Sequence, residues 1–300
     1  MTRVAFLGLG AIGLPMARHL VRDSIDLVVW NRTLSRAQAF GAESGATVAS
    51  SPADAVRDRE VVISCLSTSR DVESVLSGSD GALETLPEGS IFVDCTSGDP
   101  ATSRRIADLL AARGIGFLDA PVSGGVAGAE KAALTVMVGG RPELLEVVRP
   151  VLSCFGSRIV HCGDIGAGDA VKAVNNALLA MHLWGTAEGL AALEKAGVRA
   201  DVALEVINSS SGRSNSSMNL FPERVLTREF PRTFRLALLD KDVGIAAQFA
   251  RDQKVVSPML QLTAELYRQA HNELGEVADH VEVVRVVERM SAVEIGGRQS

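Results

Sequence analysis

The glycine-rich stretch "GLGAIG" near the amino terminus restricts the fold more than any other part of the sequence. Its glycines have the G-x-G-x-x-G spacing and stand between the apolar run "VAFL" and an amphipathic stretch. In a strand–turn–helix unit, the first glycine permits the tight turn, the second lets a pyrophosphate approach the backbone, and the third allows close helix–strand packing. The sequence therefore predicts a dinucleotide-binding βαβ unit rather than an ordinary tight turn. The predicted phosphate-binding residues are Gly8, Leu9, Gly10, Ala11, Ile12 and Gly13.

The rest of the chain has two parts of different character. Up to about residue 163, short apolar runs alternate with amphipathic ones, which is typical of a mainly parallel sheet. Helical periodicity then dominates to about residue 293. We predict an α/β fold class, with an N-terminal Rossmann-type dinucleotide-binding domain over residues 1–164 and an all-α domain over residues 165–295 that begins with a long interdomain helix. The predicted strands are 4–7, 27–30, 61–66, 91–95, 116–120, 134–138 and 158–162, and predicted helices include 11–21, 34–43 and 102–113.

Composition and charge exclude several classes of function. A net charge of −6 without a dense Lys/Arg run argues against a nucleic-acid partner. The four cysteines form no CxxC pair and have no histidine at metal-ligand spacing, so we expect no metal and a reducing compartment, by default the cytoplasm. The most apolar helical stretch, residues 177–193, is interrupted by polar residues and glycines, so we expect no membrane span.

The residues after the second predicted strand indicate which dinucleotide binds. NAD-preferring sites place Asp or Glu there to hold the ribose 2′-hydroxyl, whereas this chain has "WNRT". Asn31, Arg32 and Thr33 offer an amide, a guanidinium and a hydroxyl, all of which can hold a 2′-phosphate. We therefore predict NADP(H), with NAD(H) less favoured. The alternative is a solvent-facing turn whose arginine contacts nothing.

A long apolar helix after the sheet carries an unexpected ammonium group. From residue 170 to residue 193 the only formal charges are Lys172 and Glu188, so the helix is apolar on nearly every face and we expect it to be largely buried. Burial disfavours a charged ammonium and suits Lys172 to proton transfer, while Asn176, four residues on, shares its face. The alternative is that Lys172 reaches water near the helix start and Asn176 bonds a loop. Spacing alone does not separate the two interpretations.

The stretch "LDAPVSGG" gives a second candidate site. It follows a predicted strand and ends in Ser123, Gly124 and Gly125. A hydroxyl followed by two glycines presents a donor and exposed backbone N–H groups, which suit a carboxylate or another oxyanion. Taken alone, the stretch is more typical of a simple Pro/Gly turn.

Four motifs occur in the order found in one enzyme family: "GLGAIGLPMA", "DAPVSGG", "GAGDAVKAVNN" and "FRLALLDKD". The chain resembles the β-hydroxyacid dehydrogenases, which include 3-hydroxyisobutyrate dehydrogenase and the glyoxylate/succinic semialdehyde and tartronate semialdehyde reductases. The resemblance extends from about residue 3 to residue 290, and "NRTLSRA" is most similar to the NADPH-using glyoxylate reductases.

The resemblance implies roles for individual residues. Lys172 corresponds to the family's catalytic lysine, and Asn176 to the asparagine that helps hold the substrate. The substrate carboxylate site corresponds to Ser123, Gly124 and Gly125. The implied further cofactor contacts are Leu66, Ser67, Thr96, Ser97 and Lys241. The family also implies homodimers or homotetramers, in which the helical domain of one subunit packs on another.

The polar segment "SSSGRSNSSMN", residues 209–219, joins two helices of the second part. In related enzymes this region lines the substrate pocket and varies with the substrate. We expect Arg213 to meet a second anionic group of the substrate, so that it selects a dianionic or more polar compound. A polar inter-helix loop without this role is the alternative.

We therefore expect an NADP-dependent β-hydroxyacid dehydrogenase or semialdehyde reductase. It would transfer hydride reversibly between NADP(H) and a small 3-hydroxy carboxylate or its semialdehyde, with Lys172 as general acid and base. One alternative is an imine reductase-type NADPH enzyme, whose proton donor usually differs from this lysine. Another is a non-catalytic NADP-binding module, which would be expected to lose the lysine. 6-Phosphogluconate dehydrogenase is disfavoured because the helical half is too short.

Overall fold

The computed structural model describes residues 1–296. These residues form two compact units, which divide between Lys172 and Ala173. The first unit contains all the strands of the described residues together with helices, and the second is helical. The predicted fold class, a nucleotide-binding α/β part followed by an all-helical part, is confirmed.

One mainly parallel sheet organises the first unit. Its strands are β1 Thr2–Leu7, β2 Ile25–Trp30, β3 Thr47–Val48, β4 Val61–Ser64, β5 Ile91–Asp94, β6 Gly116–Asp119, β7 Val122–Ser123, β8 Leu134–Gly139 and β9 Gly156–Gly163. Their order is β3-β2-β1-β4-β5-β6-β8-β7, and β9 also pairs with β8. Neighbours are parallel except where β8 meets β6 and β7. The sequence analysis does not predict β3 and β7, which have two residues each.

Both faces of this sheet are buried by helices. The helices are α1 Gly13–Arg18, α2 Leu34–Ser44, α3 Pro52–Val56, α4 Ser69–Ser77, α5 Pro100–Ala111, α6 Gly125–Glu130 and α7 Pro142–Leu152, with a 3₁₀ turn at Ala82–Glu84. Along β1, Val4 and Phe6 enter one apolar core, whereas Ala5 and Leu7 enter the other. Alternate residues of a strand point to opposite faces, so a strand buried on both sides has a continuous apolar run.

The second unit is a helical bundle. The long helix α8, Ala167–Lys195, begins in the first unit and continues into the second. The other helices are α9 Ala200–Asn208, a π-helix at Ser216–Val225, α10 Leu236–Asp252, α11 Pro258–Leu274, a 3₁₀ turn at His280–Glu282 and α12 Val283–Ser291. Its core includes Trp184 and the only tyrosine, Tyr267, whose hydroxyl donates to the Ala180 carbonyl at 3.0 Å. Over residues 1–296, the helices are too short or too polar to cross a lipid bilayer.

One face of α8 is exposed, whereas the sequence predicts a largely buried helix. Val171, Val174 and Leu178 are 45%, 36% and 47% exposed. Their spacing of three and four residues places them in one row on the helix surface. Apolar composition alone did not distinguish a helix surrounded by its own chain from one with an apolar row left exposed.

Candidate functional site

The glycine-rich turn between β1 and α1 has the geometry of a phosphate-binding loop. Gly8 has a φ of +109°, and a Cβ atom there would lie 2.4 Å from the Cys65 carbonyl oxygen. A Cβ atom on Gly13 would lie 2.0 Å from the Gly8 carbonyl oxygen. A Cβ atom on Gly10 would meet nothing within 4 Å. The outer two glycines are therefore required by the fold, whereas Gly10 leaves open space of the kind a pyrophosphate needs.

A surface cavity of about 490 Å³ adjoins this turn and carries positive charge. Arg18 and Arg36 lie at the cavity, and Arg18 pairs with Glu43 at 3.1 Å. Arg36 is in the first turn of α2 and is not among the residues predicted from the sequence. The feature that could have identified it is its place, as a basic residue, three positions after "NRT". The residues present therefore fit a phosphate-bearing dinucleotide. The full lining is Leu9, Gly10, Ala11, Leu14, Arg18, Arg36, Ala39, Phe40 and Glu43.

The three residues after β2 have different surroundings. Asn31 accepts the Leu9 N–H at 2.9 Å and donates to the Thr33 carbonyl at 3.0 Å, so its amide braces the glycine-rich turn. Arg32 is 83% exposed, and its Nη1 lies 3.0 Å from Asp71 Oδ1. Exposed ion pairs contribute little to stability, so the Arg32 guanidinium is free to exchange this partner for a phosphate. Thr33 is exposed beside it.

The loops after β4 and β5 are tied together at the carboxyl edge of the sheet. Asp94 Oδ1 accepts the Ser64 hydroxyl at 2.8 Å and the Thr96 N–H at 3.0 Å. Thr96 Oγ1 in turn accepts the Leu66 N–H at 3.0 Å. Burial raises the pKa of Asp94 to about 6, although these donors favour its charged form. Of the four predicted contacts here, Leu66 and Thr96 are thus joined directly.

The other two predicted contacts in these loops lie nearer the surface. Ser67 is exposed, and Ser97 is half-buried, whereas Thr96 is fully buried. A hydroxyl needs access to reach a cofactor, and Ser67 has the greatest access of these three. The loops therefore combine a buried polar brace with more accessible hydroxyls at the edge of the sheet.

Two buried carboxylates, absent from the predicted site, lie where α8 begins. Asp119, the last residue of β6, accepts the Gly166 N–H at 2.7 Å and the Asp169 N–H at 3.0 Å. Asp169 accepts the Gly98 N–H at 2.9 Å and the Ser103 hydroxyl at 2.6 Å. Burial raises the pKa of both carboxyl groups, and the charge of Asp119 raises that of Asp169 further. Their roles depend on tertiary contacts, which sequence spacing does not reveal.

The predicted reacting lysine is in the second turn of α8. Lys172 is 8% exposed and belongs to the same compact unit as the sheet. In that unit, Ser123 ends β7, and Gly124 and Gly125 follow with φ values of +135° and +64°. Both glycines are exposed, and a Cβ atom on Gly125 would meet nothing within 4 Å. Their backbone is therefore accessible to a small anion, as the motif predicts.

A buried network in the second unit joins two other predicted residues. Asn176 Nδ2 donates to Asp242 Oδ2 at 2.6 Å, and Lys241 Nζ lies 3.0 Å from Asp242 Oδ1. Asn176 and Asp242 are both buried. Asp242 ends the motif "FRLALLDKD" but is not among the residues predicted from the sequence. The feature that could have identified it is a carboxylate directly after the predicted lysine. Asp242 is thus the residue through which Asn176 and Lys241 are connected.

Arg213 lies in the polar segment before the π-helix and is exposed. Ser214 and Ser217 hold the turn by reciprocal bonds, in which the Ser214 N–H donates to Ser217 Oγ at 2.8 Å and the Ser217 N–H donates to Ser214 Oγ at 3.1 Å. Among the described residues, Asn208 Oδ1 and Ser216 Oγ are buried without a hydrogen-bond partner. The segment is therefore ordered by its own polar groups, with the guanidinium outside it.

Two family models match the chain and together cover most of it. The first, described as the NAD binding domain of 6-phosphogluconate dehydrogenase, matches residues 3–163. The second, described as NAD-binding of NADP-dependent 3-hydroxyisobutyrate dehydrogenase, matches residues 166–287. The division between them falls just before α8.

Relatives are similar to this chain over almost its whole length. The 2-(hydroxymethyl)glutarate dehydrogenase of Eubacterium barkeri is 33% identical over 99% of this chain and 98% of its own. A 3-hydroxyisobutyrate dehydrogenase of Pseudomonas aeruginosa is 38% identical over 89% of this chain and 91% of its own. The solved structure of Mycobacterium tuberculosis 3-hydroxyisobutyrate dehydrogenase with L-serine has a TM-score of 0.87 at 31% identity, covering 96% of this chain and 99% of that one.

Proposed function

Since this chain belongs to the β-hydroxyacid dehydrogenase family and is an NAD(P)-dependent oxidoreductase acting on CH–OH groups, we propose that it uses NADP(H) with a small 3-hydroxy carboxylate or the matching semialdehyde. One observation carries the proposal. Lys172 is a buried lysine on α8, one turn before Asn176, whose amide is held by Asp242. A buried amine beside an oriented amide suits general acid–base chemistry at a carbonyl oxygen.

The chain's own groups supply proton transfer and orientation. NADP(H), when bound, supplies or accepts the hydride. In reduction, the Lys172 ammonium donates a hydrogen bond to the substrate carbonyl and protonates the oxygen as it gains charge. In oxidation, the neutral Lys172 amine accepts the hydroxyl proton. The Asn176 amide has two N–H donors; Asp242 accepts one, and we assign the other to the substrate oxygen.

The substrate carboxylate is assigned to the turn after β7. The Ser123 hydroxyl and the N–H groups of Gly124 and Gly125 donate to its oxygens, which holds the reacting carbon in one orientation. Arg213 is assigned to a second anionic or polar group of the substrate. This assignment is supported by its exposed guanidinium and by the relative named for 2-(hydroxymethyl)glutarate, a compound with two carboxylates.

The preference for NADP(H) rests on charge at the end of β2. Asn31 replaces the carboxylate that an NAD-preferring site would use, and its amide is engaged within the turn. Arg32, Thr33 and Arg36 supply donors for a 2′-phosphate, and Arg36 borders the cavity at Gly10.

The proposal extends to assembly and location. The exposed row Val171, Val174 and Leu178 supports a homodimer or homotetramer formed by the helical part. The four cysteines are free thiols, which supports a reducing compartment, the cytoplasm.

The test is oxidation of NADPH, with NADH in parallel, against small semialdehydes and glyoxylate. We expect wild-type turnover, and a kcat about 10²- to 10⁴-fold lower in Lys172→Ala because the general acid is lost. The Kd for NADPH should change by less than about twofold, since no ion pair to phosphate is removed. Lys195→Ala, an exposed lysine at the other end of α8, is the matched control and should turn over normally.

Two outcomes would contradict the proposal. Normal turnover by Lys172→Ala would remove the lysine from the chemistry. Turnover of imines but of no semialdehyde would instead indicate an imine reductase.

A further inference from the structure

The carboxylate of Asp169 connects three segments of the first unit. It lies in the first turn of α8 and is 1% exposed. Its Oδ1 accepts the Gly98 N–H at 2.9 Å in the loop after β5, and its Oδ2 accepts the Ser103 hydroxyl at 2.6 Å in α5. A single side chain therefore holds the start of α8 to the loop that contains Thr96 and to the helix that follows it.

We propose that Asp169 is a positioning residue: it fixes the segment Thr96–Asp99 against the first turn of α8 and thereby sets the position of Lys172. The proposal rests on the function proposed above and deepens it. Lys172 is three residues further along the same helix, so the two residues occupy neighbouring positions on its surface. A displacement of the first turn of a helix moves the second turn with it.

The contact leaves little room for adjustment. A Cβ atom on Gly98 would lie 3.0 Å from Asp169 Oδ2, and one on Gly166 would lie 3.0 Å from the Pro100 carbonyl oxygen. The loop, the start of α5 and the start of α8 are thus packed without space for a methyl group. Such packing holds groups to a fraction of an ångström, and a misplacement of about 1 Å at a reacting group can reduce the rate about 10²-fold.

Capping of α8 does not explain this carboxylate. Asp119 already accepts N–H groups at the start of the helix, from Gly166 and from Asp169 itself. Both oxygens of Asp169 bond to groups outside α8. A second carboxylate buried beside Asp119 is unfavourable because the two negative charges repel each other at low dielectric. A buried carboxyl group whose hydrogen bonds all leave its own helix holds other segments against that helix.

The experiment compares Asp169→Ala, Asp169→Asn and Ser103→Ala with the control Ser90→Ala. Ser90 is 3% exposed and donates to the Pro87 carbonyl at 2.6 Å before the start of β5, so the control also removes a buried hydroxyl bond. Asparagine can keep both contacts, since its oxygen accepts the Gly98 N–H and its amide can donate to Ser103 Oγ. The readouts are kcat, KM, the melting temperature and hydrogen exchange of the Gly98 amide without cofactor.

We expect Asp169→Ala to lower kcat about 10- to 100-fold and to accelerate exchange at Gly98, and Asp169→Asn to restore kcat to within about threefold. Ser103→Ala, which removes one contact, should give an intermediate kcat. Ser90→Ala should change the melting temperature but neither kcat nor Gly98 exchange.

The proposal is overturned if hydrogen exchange at Gly98 is unchanged in Asp169→Ala. It is also overturned if Ser90→Ala, with the same decrease in melting temperature as Asp169→Ala, lowers kcat by the same factor. It is also overturned if asparagine is as inactive as alanine, because the role would then be that of a charge. If the wild type turned over no substrate, the proposed function would fail separately, and Gly98 exchange would still decide whether Asp169 holds the loop.

Discussion

Three buried aspartates at the carboxyl edge of the sheet show how single side chains support a site without being reactive groups. Asp94 and Asp119 end adjacent parallel strands and are register partners, and Asp169 is bonded through its own N–H to Asp119. Asp94 and Asp169 accept hydrogen bonds from the loop after β5, which contains the predicted cofactor contacts Thr96 and Ser97, and Asp119 accepts one from the turn before α8. Negative charges on these three carboxylates repel one another. The hydrogen bonds that order the loops are therefore accompanied by an electrostatic repulsion that destabilises the folded state.

The pH dependence of stability should reveal this electrostatic penalty at Asp94. Burial raises its pKa to about 6 in the folded protein, whereas an unfolded aspartate titrates near pH 4. Between these values the folded state binds more protons, so the wild type loses stability as pH rises from about 4 through about 6. Asp94→Asn keeps an acceptor for Ser64 and Thr96 but does not titrate.

We therefore expect the melting temperature of Asp94→Asn, relative to wild type, to increase as the pH is raised from 4 to 7. Thermal unfolding followed by circular dichroism at several pH values measures the difference. A difference that stayed constant with pH would show that Asp94 is not the titrating group.

Arg32 should determine the cofactor preference. Its guanidinium is exposed and pairs with the half-buried carboxylate of Asp71, so a 2′-phosphate can replace Asp71 as its partner. We expect Arg32→Ala to lower kcat/KM for NADPH about tenfold or more and to leave that for NADH nearly unchanged, because a charge-assisted hydrogen bond is lost with one cofactor only. Arg57→Ala, another exposed arginine, is the control; equal losses with both cofactors would contradict the assignment.

In the strand–turn–helix element at the amino terminus, two glycines are present for different reasons. Gly13 is required because the Gly8 carbonyl occupies the place of its side chain, whereas Gly10 faces open space. The fold therefore requires Gly13, and we expect cofactor binding to require Gly10.

Alanine substitutions should therefore have opposite effects at these two positions. Gly13→Ala is expected to lower the melting temperature strongly, since a Cβ atom cannot lie 2.0 Å from a carbonyl oxygen. Gly10→Ala should unfold like wild type but bind NADPH at least about tenfold more weakly, because its methyl group occupies the space assigned to the pyrophosphate. Tight NADPH binding by Gly10→Ala, measured by fluorescence titration, would place the phosphates elsewhere.

Long elements were predictable from periodicity, and short ones were not. The continuous apolar runs identify β1, β2, β4, β5, β6, β8 and β9 because these strands are buried on both faces. The two-residue strands β3 and β7 have no periodicity to detect. Helix α1 is predicted over residues 11–21 but spans only Gly13–Arg18, since a helix end is set by capping contacts that periodicity does not contain.

In the candidate site too, residues that belong to a local sequence pattern were predictable, and residues that act through distant contacts were not. The glycine spacing, "WNRT" and the lysine–asparagine pair are local patterns, and the sequence displays them directly. Asp242, Asp119 and Asp169 act through partners 66, 47 and 66 positions away in the chain. Only the folded chain brings these partners together, so a single sequence does not reveal their contacts.

In the whole molecule, the exposed apolar row on α8 is a candidate surface for self-association. Val171, Val174 and Leu178 are 36–47% exposed and lie in one row along the helix, and a contiguous exposed apolar row is typical of an interaction surface.

A charge in this row should disturb assembly. We expect Leu178→Glu to shift the mass measured by size exclusion with light scattering toward the monomer, because an interface excludes an unpaired carboxylate. Val147→Glu, an exposed apolar position on α7, should leave the mass unchanged. If Leu178→Glu had the mass of wild type, the row would not be an interface.

The start of α8 also determines where this protein can be divided. A cut after residue 164, between the two family matches, would take the Gly166 and Asp169 N–H donors away from Asp119. The cut would also take the Asp169 carboxylate away from the Gly98 N–H and the Ser103 hydroxyl, so both ends of this contact would lose buried hydrogen bonds. The nucleotide-binding half therefore does not separate cleanly at the boundary between the two family matches. It can be separated only when residues 165–172 stay with it. Natural recombination that exchanged helical halves among such enzymes would have to transfer this short segment with the sheet.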